Sequence, residues 1–367
     1  GIYEGSEQFT VDLSNATGGA TISDAQGIGT ITDDGTGNGG SDDDRPVLTV
    51  TGVDDVSEGS YAVFTVTLDK PLAANANIKL LLADGTAILA SDLDSTAMEV
   101  VTDPSTSIGS GTSVVNGANY ALVAGTQTFY VRVLTKGDNP AVYEGAENFQ
   151  LTASFVPAAL LYADRTGNSL TLRTGASAND TSTILDDGTG KVYGSNGVNT
   201  GGTPDDDRTI SVLGYGSVNE GSQYAMFTVT ATPNQTLDLT LQTATSGTAA
   251  TRTGFTYEFS TDGTNWTTYD ASHKPTVPTG GKVYVRVDIS TESDTTYEGA
   301  ETFALKASYT TNTAKSAAAD TSIVDDGTGT KYGPNVDPTT GPATSTTSLD
   351  DDRTITVTGG RYNENSP

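Results

Sequence analysis

Apolar and polar residues alternate in short stretches throughout the chain. Phe64-Thr65-Val66-Thr67-Leu68 and Phe227-Thr228-Val229-Thr230 put every second side chain on an apolar face. Tyr130-Val131-Arg132-Val133 and Tyr284-Val285-Arg286-Val287 follow the same period. A period of two with β-branched residues predicts strands with one buried face. Turn strings such as Ala83-Asp84-Gly85-Thr86 and Thr261-Asp262-Gly263-Thr264 separate them. No amphipathic helix of useful length is present. The expected fold is all-β, built of antiparallel, Ig-like β-sandwiches.

The pattern repeats at domain scale. Tyr3-Glu4-Gly5-Ser6-Glu7-Gln8-Phe9 recurs as Tyr143 to Phe149 and again as Tyr297 to Phe303. Asp-Asp-Gly-Thr-Gly begins at Asp33, Asp186 and Asp325, and Asp-Asp-Asp-Arg begins at Asp42, Asp205 and Asp350. Glu58-Gly59 and Glu220-Gly221 open the two longer copies, and Glu364 holds the matching place near the end. Spacings near 150 residues are the size of a domain rather than of a solenoid unit. The reading is a tandem array: 1–44 as the last part of one module, 45–207 and 208–352 as complete modules, and 353–367 as a first strand. The natural protein is therefore expected to be longer. Segments 188–204 and 327–348 are polar and Gly-rich, and read as extended loops or inter-module linkers.

Composition narrows the chemistry. Across 367 residues there is no cysteine, which excludes disulfides and cysteine-based zinc sites. Lys plus Arg number 18 against 46 Asp plus Glu, a net charge of −28. Such a chain repels nucleic acid and anionic lipid and attracts cations. No apolar run is long enough to span a bilayer. Gly35-Thr36-Gly37-Asn38-Gly39-Gly40 satisfies G-x-G-x-x-G, but no helix pattern follows and the flanking aspartates repel phosphate. The lone histidine, His273, is unrepeated and has no catalytic partner set, so an enzyme is not expected.

With these motifs in order, the chain resembles the Calx-β module of sodium–calcium exchangers and long bacterial surface adhesins. Val56-Ser57-Glu58-Gly59, Asp84-Gly85-Thr86-Ala87, Ser91-Asp92, Tyr143 to Phe149 and Ile184-Leu185-Asp186-Asp187 carry the resemblance. It implies calcium held by acidic loops at one pole of each sandwich. The implied ligands in the first complete module are Glu58, Asp92, Asp138, Glu144, Glu147, Asp186, Asp187, Asp205, Asp206 and Asp207. In the second they are Glu220, Asp294, Glu298, Glu301, Asp325, Asp326, Asp350, Asp351 and Asp352. The partial first copy offers Glu4, Glu7, Asp33, Asp34, Asp42, Asp43 and Asp44. The second module reads Ser246-Gly247-Thr248-Ala249 with no following Ser-Asp. Lacking a counterpart of Asp92, it is expected to hold fewer ions.

Calcium takes 6–8 oxygens, which carboxylates supply well. Glu144 and Glu147, three apart, face opposite sides of a regular strand, so a bend is required for both to reach one ion. Arg45, Arg208 and Arg353 follow the aspartate strings and are placed to pair with them or to orient them. The expected function is that of a structural or adhesive region of an extracellular, cell-surface bacterial protein. Calcium between modules would stiffen it into a rod or fibre. Neighbouring modules are its expected partners, with copies of itself in a fibre or surface layer as a further one. The other reading is a module binding glycan or protein directly, through a loop surface near Trp266 and Tyr269.

Overall fold

Period-two burial follows the alternation in the sequence. Strand by strand, the apolar set of 61–68, 76–84 and 147–155 points to one interior. In a computed structural model the chain divides into two units, 1–207 and 208–367. The structure describes residues 6–39, 43–72, 75–94, 97–156, 177–244, 254–334, 349–361 and 364. Both units are antiparallel β-sandwiches.

The first unit contains β1 (Glu7–Asp12), β2 (Gln26–Ile31), β3 (Leu48–Thr51), β4 (Val56–Ser57), β5 (Tyr61–Leu68) and β6 (Ala76–Asp84). A helical turn, α1 (Leu89–Asp92), leads to β7 (Ala97–Val101), β8 (Thr112–Val115), β9 (Asn119–Leu122), β10 (Thr128–Leu134), β11 (Glu147–Phe155) and β12 (Ser177–Leu185). Sheet β3-β5-β10-β7-β8 packs on sheet β4-β12-β11-β6-β9 around one apolar core. The second unit has β13 (Ile210–Gly214), β14 (Ser217–Asn219), β15 (Tyr224–Ala231), β16 (Leu237–Thr243), β17 (Tyr257–Ser260), β18 (Thr267–Thr268), β19 (Lys282–Asp288), β20 (Glu301–Tyr309) and β21 (Ser316–Val324). Its sheets are β13-β15-β19-β17-β18 and β14-β21-β20-β16. Among the described residues no helix is long and apolar enough to cross a membrane.

The repeated Tyr-Glu-Gly-x-Glu-x-Phe motif ends in the core. Phe149 meets Phe64 edge-on at 5.9 Å between centroids, and Phe303 meets Phe227 at 6.0 Å. The acidic half of the motif is thereby left at the end of the sandwich. Phe9 is the counterpart of these phenylalanines but is 52% exposed. Its strands β1 and β2 form a two-stranded sheet with no second sheet over it among the described residues.

Of two expectations about the segments between modules, one is narrowed and one is corrected. Residues 188–204, read as an extended loop or a linker, are a loop held against the first unit: Lys191 O accepts from Ser57 N at 2.8 Å, and Tyr193 O accepts from Tyr61 N at 3.2 Å. Tyr193 also packs against the core. The second unit repeats the contact through Thr330 and Tyr332, whose carbonyls accept from Asn219 N and Tyr224 N. The remainder of that loop, 335–348, lies outside the described residues. Residues 353–361 form no strand, and Ile355 and Val357 are 93% and 90% exposed. A lone strand has no ladder to satisfy its backbone.

Candidate metal centre

The acidic residues converge because several chain ends meet at one pole. The end of β4, the turn after β6, the β10–β11 loop, the start of β11 and the end of β12 all lie there. Glu144 stands in the loop and Glu147 opens β11, with Gly145 between them at φ +90°. Gly299 repeats this at φ +83°. That left-handed conformation, strained for any residue with a Cβ, supplies the required bend. Carboxylate oxygens of Asp92, Glu144 and Glu147 lie within 4.8 Å of one another, as do those of Glu58, Asp205 and Asp207. Asp138 is close enough that its charge raises the pKa of both Glu58 and Glu144.

Asp186 sits among these groups. It is 3% exposed and lines a narrow cleft with Glu58, Asp92, Glu144, Glu147 and Lys136, whose positive charge offsets part of the rise in the pKa of Glu144. Asp186 Oδ2 accepts from Glu144 N at 2.7 Å, whereas buried Oδ1 has no hydrogen-bond partner. In the second unit Asp325 is 2% exposed; its Oδ2 accepts from Glu298 N at 2.6 Å and its buried Oδ1 is likewise unpartnered. A buried carboxylate oxygen without a donor is costly, and a cation removes that cost.

The second unit forms two groups of its own: Glu220 with Asp294 and Asp352, and Glu292 with Glu298 and Glu301. Among the described residues the second unit thus has as many groups of three carboxylates as the first, although it lacks a counterpart of Asp92 in its sequence. Glu292 takes the part that Asp92 plays in the first unit, reaching the cluster from the loop after β19 rather than from a turn after β6. It stands five residues before Tyr297, as Asp138 stands before Tyr143, and this offset is the signal that identifies it. Ser290 occupies the place of Lys136 in the sequence, and the ammonium of Lys331 lies beside Gly221, next to Glu220. The Ser246–Ala249 string lies outside the described residues.

The two aspartate strings of each copy bridge to one another in antiparallel fashion, Asp34 to Asp43, Asp187 to Asp206 and Asp326 to Asp351. Alternation along this bridged backbone divides the aspartates by face. Asp34, Asp187 and Asp326 cap turns, each accepting from the backbone N of Thr36, Thr189 or Thr328 at 3.0–3.1 Å. Arg45 grips Asp43 with two bonds of 2.9 Å, and Arg353 grips Asp351 at 2.8 and 2.7 Å. Asp206 holds the same string position. These six residues do not join the converging groups; Asp186, Asp205 and Asp207 do, as do Asp325 and Asp352. Asp350 lies beside Asp352 and raises its pKa. Asp44 pairs with Lys70 at 2.6 Å. Glu7 and Asp33 form no such group among the described residues. Glu4 and Asp42 lie outside them.

Burial, reinforced by neighbouring carboxylates, pushes Glu58 up to about 8. The same causes push Glu147 and Glu220 up to about 7 and raise Glu144 and Asp352. A carboxyl whose folded pKa exceeds its unfolded value stabilises the fold below the unfolded pKa and loses that contribution as pH rises through the folded one. In chelator, the melting temperature is therefore expected to fall between about pH 5 and pH 8. Calcium, which competes with these protons, should reverse the trend. A chelated melting temperature that is flat or rises over this window would contradict the site.

The aromatic residues near Trp266 are engaged in packing. Arg286 lies over the rings of Trp266 at 4.3 Å and Tyr224 at 4.4 Å while bonding Glu258 at 2.6 Å. Tyr269 stacks on Tyr257 at 5.1 Å and accepts from Leu239 N. His273 pairs with Asp270 in an exposed turn.

The fold and site together describe a class: β-sandwich units with paired all-carboxylate clusters at one pole. No family model matches the chain, and no curated protein matches it. Among solved structures, a marsupial T cell receptor is similar at 8% identity, covering 76% of this chain and 73% of that chain, with a TM-score of 0.28.

Proposed function

We propose that this chain is part of a tandem array of Calx-β-like, calcium-binding β-sandwiches with a structural or adhesive role outside a bacterial cell. The observation that carries the reading is the buried, unpartnered oxygen of Asp186 and Asp325, each set among converging carboxylates. An all-oxygen set suits a hard cation, and its number of charges and the breadth of its loops suit calcium better than strictly octahedral magnesium.

The mechanical part follows from chain order. Asp205 and Asp207 are cluster members and Arg208 begins the next unit, where its buried guanidinium lies over Tyr309 at 4.2 Å. An ion held by Glu58, Asp205 and Asp207 fastens the last residues of one unit to its body. The next unit then starts from a fixed point, and the array stiffens. Ligand stabilisation grows as RT ln(1 + [L]/Kd), so weak sites work in a calcium-rich exterior.

Calcium titration by calorimetry, with small-angle scattering in calcium and in chelator, tests this. Saturable uptake and a longer, narrower distance distribution in calcium are expected. No uptake sinks the cation reading; uptake with unchanged dimensions sinks only the mechanical one.

A further inference from the structure

We propose that Asn219 is the positioning residue for the second unit's cation cluster, and that Ser57 has the same task in the first. The inference rests on the calcium reading and adds what holds the ligands in place. Asn219 is fully buried and immediately precedes Glu220, a member of the cluster. Its Oδ1 accepts from Asp350 N at 3.0 Å and Gly221 N at 3.2 Å. Its Nδ2 donates to Asp350 O at 3.1 Å and Thr328 O at 2.8 Å. One amide therefore holds both polar groups of Asp350 and the turn after Asp326. Its own backbone N donates to Thr330 O at 3.0 Å.

The consequence is geometric. Glu220 leaves β14, while Asp352 arrives on a string more than a hundred residues further along the chain. Backbone bonds hold each of them to the end of β21, Glu220 N donating to Val324 O at 2.8 Å and Asp352 N to Asp325 O at 3.2 Å, and Asn219 adds the direct tie between the two segments. Asn219 ties that string to the residue beside Glu220, so the two arrive in register before any ion does. The acceptor is the half that sets the string, because Asp350 O also accepts from Gly327 N at 2.9 Å.

Ser57 occupies the equivalent position, one residue before Glu58, and is 1% exposed. Its Oγ accepts from Asp205 N at 2.8 Å, and its backbone N donates to Lys191 O at 2.8 Å. Two different polar side chains thus accept from the backbone N of the first aspartate of the same string, and the carbonyl of that aspartate in the first unit accepts from Gly188 N at 2.7 Å. An aliphatic residue would suit a buried site flanked by β-structure; polarity here is explained by the string it holds.

The test is calcium titration of the full chain with the first unit silenced by Glu58→Gln and Glu147→Gln. Asn219→Ala is expected to weaken calcium uptake by about tenfold or more, as supporting shells do elsewhere. Asn219→Ser, which installs the first unit's solution, should keep affinity within about threefold of the parent, well short of that loss. Titration is made where circular dichroism shows all variants folded, and melting in chelator is measured alongside. A purely structural role would lower melting in chelator and leave affinity unchanged, and that result overturns the proposal. Equal weakness of Asn219→Ser and Asn219→Ala overturns it too. Failure of the unmutated chain to take up calcium overturns the parent reading, and is seen before any variant is made.

Discussion

Replacing Asp325 by asparagine is expected to invert the response of the 208–367 unit to calcium: the variant melts above the parent in chelator and below it in calcium. Without an ion, Asp325 Oδ1 is buried, unpartnered and close to the charges of Glu220 and Asp352. Asparagine removes one negative charge while its Oδ1 keeps the bond from Glu298 N, so like-charge repulsion falls. With calcium, the same change removes a ligand. At a hundredfold excess over Kd a bound ion stabilises by about 2.7 kcal/mol, roughly 5–10 °C for a unit of this size, and the variant forfeits most of it. Trp266 is the only tryptophan in the chain and belongs to this unit, so its fluorescence reports the transition. A variant that melts lower in chelator as well would mark Asp325 as a structural carboxylate and remove the main support for an ion there.

Phe303→Ala should cost about 3–5 kcal/mol, the range for truncating a buried phenylalanine. Its ring is fully buried between Phe227, at 6.0 Å, and Phe255, at 5.6 Å. It also stands two residues after Glu301, so the strand that carries the core anchor carries a cluster carboxylate. The Trp266-detected melt should fall by roughly 6–20 °C. Phe303→Leu, which keeps most of the volume, should restore much of the loss. If Phe303→Ala melts with the parent, the motif's phenylalanine is not the anchor of the β20 strand.

These two residues show how unevenly the molecule could be read in advance. Phe303 lies in a period-two run, and strand alternation is a local property, so its place in a core follows from its neighbours in sequence. The repeated order of Glu-Gly, Tyr-Glu-Gly and the aspartate strings likewise marks the modules without any coordinates. The bend at Gly145 and Gly299 follows from the spacing of two glutamates that must meet.

What only the tertiary structure decided is which carboxylates meet. Asp186 and Asp187 are adjacent in sequence and identical in chemistry. One is buried in the cluster and the other caps Thr189, because bridging to a distant string sends successive side chains to opposite faces. Glu292 replaces Asp92 from a different loop, since a cluster needs an oxygen at a point in space and not at a point in the chain. The Gly-rich stretch after Asp187 looks like a linker by composition, yet its backbone completes the edge beside β4. Local periodicity specifies strands. Long-range closure of the sandwich specifies the site, because its members come from chain ends that only the finished fold brings together.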